Sequence, residues 1–260
     1  MTQRQSLKTI GTGTALAVLV LGGMLISPGR GQDSGNDDES RIQQGLAIAP
    51  VKLNLEGKDR ALVGLGSYIV NAQVDCNGCH ASAPLNNPAL EWLPGGVPYF
   101  GQHPTVVNPQ YYLGGGQHFT LIPGFPDIIS RNLTPDKNGH PEGHTLTEFK
   151  EILRTGKDFD NIHPTCQSDT DPKIAPGICV PPPVDGSKLQ VMPWPLFHNM
   201  TDHQIEAIYE YLSSIPCIDN SFSPPPAGAP NELRNDCGDP QLTRHAAALA
   251  HRDVRAKARR

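Results

Sequence analysis

The chain has 260 residues, 37% of them apolar, with 26 glycines and 26 prolines. That length and turn content fit one compact core carrying long loops, and no period of 20–50 residues recurs to suggest a repeat architecture. The net charge of −5 is uneven: residues 1–31 carry +3 and residues 240–260 carry +5, so the body between them holds −13 and disfavours nucleic acid as a partner.

Residues 1–31 lack acidic side chains, hold Arg4, Lys8 and Arg30, and contain the apolar run "ALAVLVLGGMLI" at 15–26. Its 12 residues suit a secretory h-region and fall short of the roughly 20 needed to span a bilayer. The segment reads as a signal peptide or an N-terminal membrane anchor, and on either reading the chain is exported. Residues 32–57, opening "QDSGNDDES", read as a polar linker. In "KDRALVGLGSYIVNA" (58–72), Leu62, Leu65, Ile69 and Ala72 recur at helical spacing, which predicts an amphipathic helix. That helix runs straight into "VDCNGCHASAP" at 74–84.

Residues 81–130 are rich in Pro, Gly and aromatics without a helical period, and are expected to form a long ordered loop with short strands. Thr145 and Glu148 form a capping box ahead of "FKEILRTG", with Gly156 placed to end that helix in the left-handed conformation. A Pro- and Asp-rich loop follows at 158–190. Thr201 and Gln204 form a second capping box before "IEAIYEYL", where Ile205, Ile208 and Leu212 share a face and Pro216 stops the helix. Residues 217–260 read as a Pro-rich extension ending in a basic, alanine-rich helical tail, "LTRHAAALAHRDVRAKARR". Such charge runs are usually solvated; the functional reading docks the tail on an acidic partner or anionic lipid.

The motif at 76–80, C-x2-C followed by His, has three chemical readings. A thioredoxin-type dithiol belongs at a strand-to-helix turn, whereas here a helix precedes and a loop follows. A structural zinc site needs a second ligand pair at suitable spacing, and none accompanies the motif. Covalent haem uses both thiols, Cys76 and Cys79, for thioether bonds and the imidazole of His80 as an iron ligand, and fits an exported chain best. Of the remaining four cysteines, three connectivities are open. Neighbour pairing, Cys166–Cys179 and Cys217–Cys237, is favoured, each loop contributing about 3 kcal/mol in the loop-entropy model; free buried thiols are the alternative.

A haem needs a sixth ligand or an open site. Met192, in the Pro-constrained "VMPWPLF", is the candidate, ahead of Met200, which precedes the N-cap Thr201 and suits a hydrophobic staple against Ile205.

The residues "GSYIVNAQVDCNGCH", "NLTPDKNGH" with "LTEFKEILRTGKD", and "VMPWPLFHNMTDHQIEAIYEYLSSIP" resemble class I c-type cytochromes. The likeness is closest to the single-haem cytochromes related to subunits of periplasmic, membrane-associated dehydrogenases. The resemblance spans roughly residues 59–216 and implies a mainly α, cytochrome c-like haem domain at 58–216 with long irregular loops. It implies His80 and Met192 as iron ligands, and a crossing of the first and last helices where Gly66 meets Tyr211. Polar residues of the "NLTPD" loop, Asn132, Thr134 and Asp136, would shield the haem or bond a propionate; an Asx-type turn is the simpler account. Arg131 and Arg154 offer guanidinium donors to propionates, with ordinary surface placement the simpler account, and Trp194 is expected to pack beside the haem with its N–H on a propionate. The cysteine-bearing loop at 158–190 and the extension after 217 depart from the pattern.

His/Met ligation leaves iron no vacant position. The expected function is therefore an exported, periplasmic, one-haem carrier of single electrons, not itself an enzyme, between a dehydrogenase or quinol-linked donor and a terminal acceptor. Its partners would be redox proteins (a dehydrogenase, an oxidase or another cytochrome), with membrane association through the N-terminal segment. The competing class is a haem enzyme or ligand sensor with an open distal iron site.

Overall fold

The structure is a computed structural model and describes residues 34–81, 91–92, 101, 106–120, 127–175, 177–220 and 236–237. The N-terminal segment 1–31 and the basic tail 240–260 lie outside the described residues. The described chain is mainly helical: α1 (Ser34–Ile48), α2 (Arg60–Tyr68), a π-helical segment (Ile69–Val74), α3 (Cys76–His80), α4 (Leu146–Thr155), α5 (Trp194–Phe197) and α6 (Asp202–Leu212). Two-residue strands β1 (His118–Phe119) and β2 (Ile128–Ile129) pair antiparallel, His118 opposite Ile129. No helix among the described residues is long and apolar enough to cross a membrane.

Helix α2 starts at Asp59, whose carboxylate accepts from the Ala61 and Leu62 amides. It is buried on two sides. Against α6, a Cβ on Gly66 would run into the Ala207 carbonyl and lie 2.7 Å from Tyr211 Cβ, so the Gly66–Tyr211 crossing expected from the resemblance is present as geometry. Against α1, Gly45 and Gly64 bring the two backbones into contact, and a Cβ on Gly64 would lie 2.7 Å from the Ile42 carbonyl. Helix α1 falls in the segment read as a polar linker. Asp38, Glu39 and Arg41 are exposed, but Ile42, Gly45, Leu46 and Ala49 form an inward stripe that packs on the core.

The helix expected over 58–72 also differs at its end. After Tyr68 the chain widens into the π-helical segment, where the Asn71 amide takes the Ser67 carbonyl at 2.9 Å and Tyr211 Oη at 3.2 Å. Within this widened segment Val70 is buried and Ala72 is exposed, against the face expected from the helical spacing. Both capping boxes form as expected, Thr145 with Glu148 and Thr201 with Gln204. Gly156 ends α4 at φ 70°, where a Cβ would enter the Trp194 indole.

The main core joins Val63, Leu65, Val70, Tyr112, Leu113, Phe149, Leu153, Ile205, Ile208, Tyr211 and Leu212. Disulfides link the neighbouring pairs Cys166–Cys179 and Cys217–Cys237, with Cα atoms 5.2 and 5.5 Å apart. The first, with Ile174, forms a small separate core inside the 158–190 loop.

Gly66→Ala tests the crossing. Alanine's better helix propensity would gain up to about 1 kcal/mol, but a methyl against a backbone carbonyl forces α2 and α6 apart and should cost roughly 1–3 kcal/mol or more. The urea midpoint should fall. An unchanged or raised midpoint would mean that the helices do not meet at Gly66.

Candidate functional site

The π-helical segment ends at Asp75, a left-handed residue (φ 53°) whose carboxylate caps α3 by accepting from the Gly78 amide at 3.2 Å. A Cβ on Gly78 would sit 2.6 Å from that carboxylate, so glycine permits the tight cap. The resulting five-residue helix carries Cys76, Cys79 and His80 to the edge of a cleft. Asn77, inside the motif, is buried; its Oδ1 accepts from the Leu113 amide at 3.0 Å and ties α3 to the core.

The cleft encloses about 1200 Å³ of empty space, open solvent at its mouth included. Its walls are mostly apolar: Phe149, Ile152 and Leu153 from α4, Ile208 and Leu212 from α6, Ile128 and Ile129 from β2. Cys76, Cys79, His80 and Met192 all line it, so the four residues singled out from sequence share one space. Met200 lines it too, which its reading as a helix-end staple did not anticipate.

His80 donates from Nδ1 to the Arg131 carbonyl at 2.8 Å, which fixes the ring and leaves Nε2 as the free acceptor. Burial lowers its pKa, keeping the imidazole neutral and able to donate a lone pair. Cys76 and Cys79 are not paired with each other. Burial, then the neighbouring Asp75 and Cys79, push the Cys76 thiol up to about 12. Desolvation, Asp75 and Glu91 also raise Cys79 at the exposed rim. Protonated thiols are the opposite of what an attacking redox dithiol requires.

One wall is polar. Arg131 is buried, its side chain 12% exposed; Nη2 donates to both oxygens of Asp158 at 2.8 Å and Nη1 to Asp160 at 2.9 Å, with Glu142 3.9 Å away. Arg131, Glu142, Asp158 and His163 all face the cleft. The expected surface placement of Arg131 is thus corrected: three carboxylates make its burial tolerable, and both terminal nitrogens already donate to Asp158 and Asp160. Arg154 is a surface residue, paired with Asp202 at 2.8 Å and donating to the His198 carbonyl. Trp194 donates its indole N–H to Leu189 O at 3.2 Å, so that group is not directed at the cleft. Asn132 forms the simpler Asx turn, accepting from the Thr134 amide and hydroxyl at 2.9 and 2.6 Å, and Asp136 accepts from the Asn138 and His140 amides at 2.8 Å.

A group holding Cys166, Asp171 and Cys179 has metal-like proximity, but its two sulfurs are bonded to each other. Residues the sequence did not single out include Asn77, Gly115, Glu142, Asp158 and His163. Only Asn77 carries a local signal, lying within the motif itself.

The donor set fits a covalently attached haem: two thiols and an imidazole on one short helix, a thioether on the same cleft, and apolar walls. No protein family, curated protein or solved structure matches the chain.

Proposed function

We propose that this chain is an exported monohaem c-type cytochrome of the class I kind, carrying single electrons between a periplasmic dehydrogenase or quinol-linked donor and a terminal acceptor. One observation carries the reading: Cys76, Cys79 and His80 share a single, mostly apolar cleft with Met192. When bound, haem c supplies a one-electron Fe(III)/Fe(II) couple.

The residues would divide the work as follows. Cys76 and Cys79 would hold the haem through two thioether bonds, each made by addition of one S–H across a vinyl group with no leaving group and no net oxidation. His80 offers Nε2, held in direction by its Nδ1–H bond to Arg131 O. Met192 offers a neutral thioether, which favours the reduced iron and raises the potential. Ile128, Phe149, Ile152, Leu153 and Ile208 give the bound group an apolar surround, which would limit the solvent that reorganises when the charge changes. Export follows from the leader-like segment 1–31, whose residues support either a cleaved signal or a retained anchor.

Covalent attachment is checked first: purified, denatured protein should keep its haem through acid–acetone extraction, and clean extraction would sink the attachment claim. Ligation is checked by two variants. Met192→Ala should abolish the weak sulfur-to-iron charge-transfer band of the oxidised protein, lower the potential and open the reduced iron to carbon monoxide, while haem stays attached. Met200→Ala should keep the band and lose only helix-end packing, about 1–3 kcal/mol for a half-buried side chain. If the band survives Met192→Ala and vanishes in Met200→Ala, the ligands are exchanged. A parent protein that lacks the band and binds carbon monoxide readily is instead an open-site enzyme or sensor.

A further inference from the structure

The segment after α6 reaches back to the loops that hold His80. Asn220 is 1% exposed, and its Nδ2 donates to the carbonyls of Gly114 at 2.6 Å and Gly115 at 3.0 Å. Gly115 in turn donates its amide to His80 O at 2.7 Å. It lies at φ 72° against the Arg131–Asn132 backbone, where a Cβ would come 2.6 Å from Asn132 N. The 113–117 and 130–133 segments are laced together: Leu133 N to Leu113 O at 2.9 Å, Gly116 N to Ser130 O at 2.7 Å, and Ser130 N to Gln117 O at 2.8 Å. On the far side, Ile218 binds the second of these segments and the residue just after it, its carbonyl accepting from Asn132 Nδ2 at 2.8 Å and its amide donating to Thr134 Oγ1 at 3.0 Å.

Both ends of the histidine therefore terminate on backbone that residues 218–220 grip. The backbone carbonyl of His80 ends on Gly115, and the ring ends on Arg131 O. Two anchors set the position of 218–220: Cys217, bonded to Cys237, and helix α6 just before it. Asp236 adds a third, accepting from the Lys137 amide at 3.0 Å on the same loop.

Stability alone does not account for Asn220. Its Oδ1 is buried and finds no donor among the described residues, and an unpaired buried acceptor weakens rather than strengthens a fold. What an amide supplies here, and an apolar side chain does not, is two donors aimed at consecutive carbonyls.

We propose that Asn220 is a positioning residue for His80: the segment 218–220, a strap anchored by the Cys217–Cys237 disulfide, acts through Asn220 and Gly115 to hold the Arg131 carbonyl on Nδ1 and thereby sets the orientation and donor strength of the imidazole. The inference rests on the haem reading above. A firm Nδ1–H···O bond makes the imidazole a stronger donor, which favours the oxidised iron; loosening it raises the potential.

Asn220→Ala tests the proposal in the haem-loaded chain. Haem attachment and the Met192 charge-transfer band should persist. The spread of haem methyl proton shifts in the oxidised protein should change, the potential should rise, and the His80 Nδ1 proton should exchange with solvent at least tenfold faster. A strap that merely stabilises would lower the thermal midpoint and leave all three ligand readouts at parent values, and that result overturns the proposal. Should Asn220→Ala fail to fold, the paired variant Cys217→Ser with Cys237→Ser keeps Asn220 and should move the same readouts in the same direction; parent values there overturn the proposal equally. If the parent carries no covalent haem, the proposed function is what fails. The 15N shifts of His80 in the protein as isolated then decide the strap: a Nδ1–H tautomer preference equal in parent and Asn220→Ala removes it.

Discussion

Backbone-to-backbone contact on two faces of α2 is the constraint on which the rest of the fold depends. Gly45 against Gly64 and Gly66 against Ala207 bring three helices closer than side chains would allow. A glycine in a helix interior costs up to about 1 kcal/mol relative to alanine, and Gly45, Gly64 and Gly66 all hold such positions. Close approach gives the compensating dispersion contacts, and Ser67 adds a buried hydroxyl bond to Gly45 O at 2.7 Å. The polar group at the helix end is closed as well: Tyr112 donates to Asn71 Oδ1 at 2.5 Å, and its hydroxyl lies 2.7 Å from that of Tyr211. Burial raises both tyrosines, so they remain neutral. With α2 fixed on both sides, the π-helical turn has one exit, and that exit delivers Cys76 and His80 to the cleft.

What was legible in the sequence was mostly local. Capping boxes need only four residues, so the starts of α4 and α6 read correctly. The neighbouring cysteine pairs read correctly because each closes a short loop. Helix α1 did not, since its acidic front half outweighs the short stripe of Ile42, Gly45, Leu46 and Ala49 that meets α2. The π-helical turn hides in an ordinary helical period because its cause, Asn71 reaching Tyr211, lies 140 residues apart in sequence. The loop wall beside His80 was the least legible part: residues 130–133 are held by pairing with the glycine-rich 113–117 backbone, which leaves no hydrophobic alternation to read.

Arg131 shows why a polar residue in a loop is hard to place from sequence. Alone, its guanidinium would be excluded from the interior. Asp158, 3% exposed, and Glu142 arrive from different segments and surround it. Replacing such a cluster with apolar residues often leaves stability unchanged or improves it, whereas removing one partner strands a charge. The cluster is therefore better understood as fixing geometry than as adding stability. Its backbone carbonyl carries the His80 bond, and its side chain locks that backbone to the 158–160 turn.

The two methionines on the cleft differ in how the chain presents them, and this difference supports Met192 as the proposed sulfur donor. The loop bearing Met192 is tied at both ends to the C-terminus of α4. Before it, the Leu189 amide donates to Gly156 O at 2.7 Å. After it, Trp194 closes back with its amide on Met192 O at 2.8 Å, its indole N–H on Leu189 O and its ring on the face of Gly156. Pro193 and Pro195 restrict the backbone between those anchors, so little entropy is lost in holding the sulfur in one place. Both side chains pack against the core, but Met200 has a different backbone setting: its amide closes a turn on Phe197 O at 3.0 Å, immediately ahead of the Thr201 cap. It is held by the same contacts that start α6, so drawing its sulfur toward a metal would disturb that helix, whereas Met192 sits in a loop closed around it by Gly156 and Trp194.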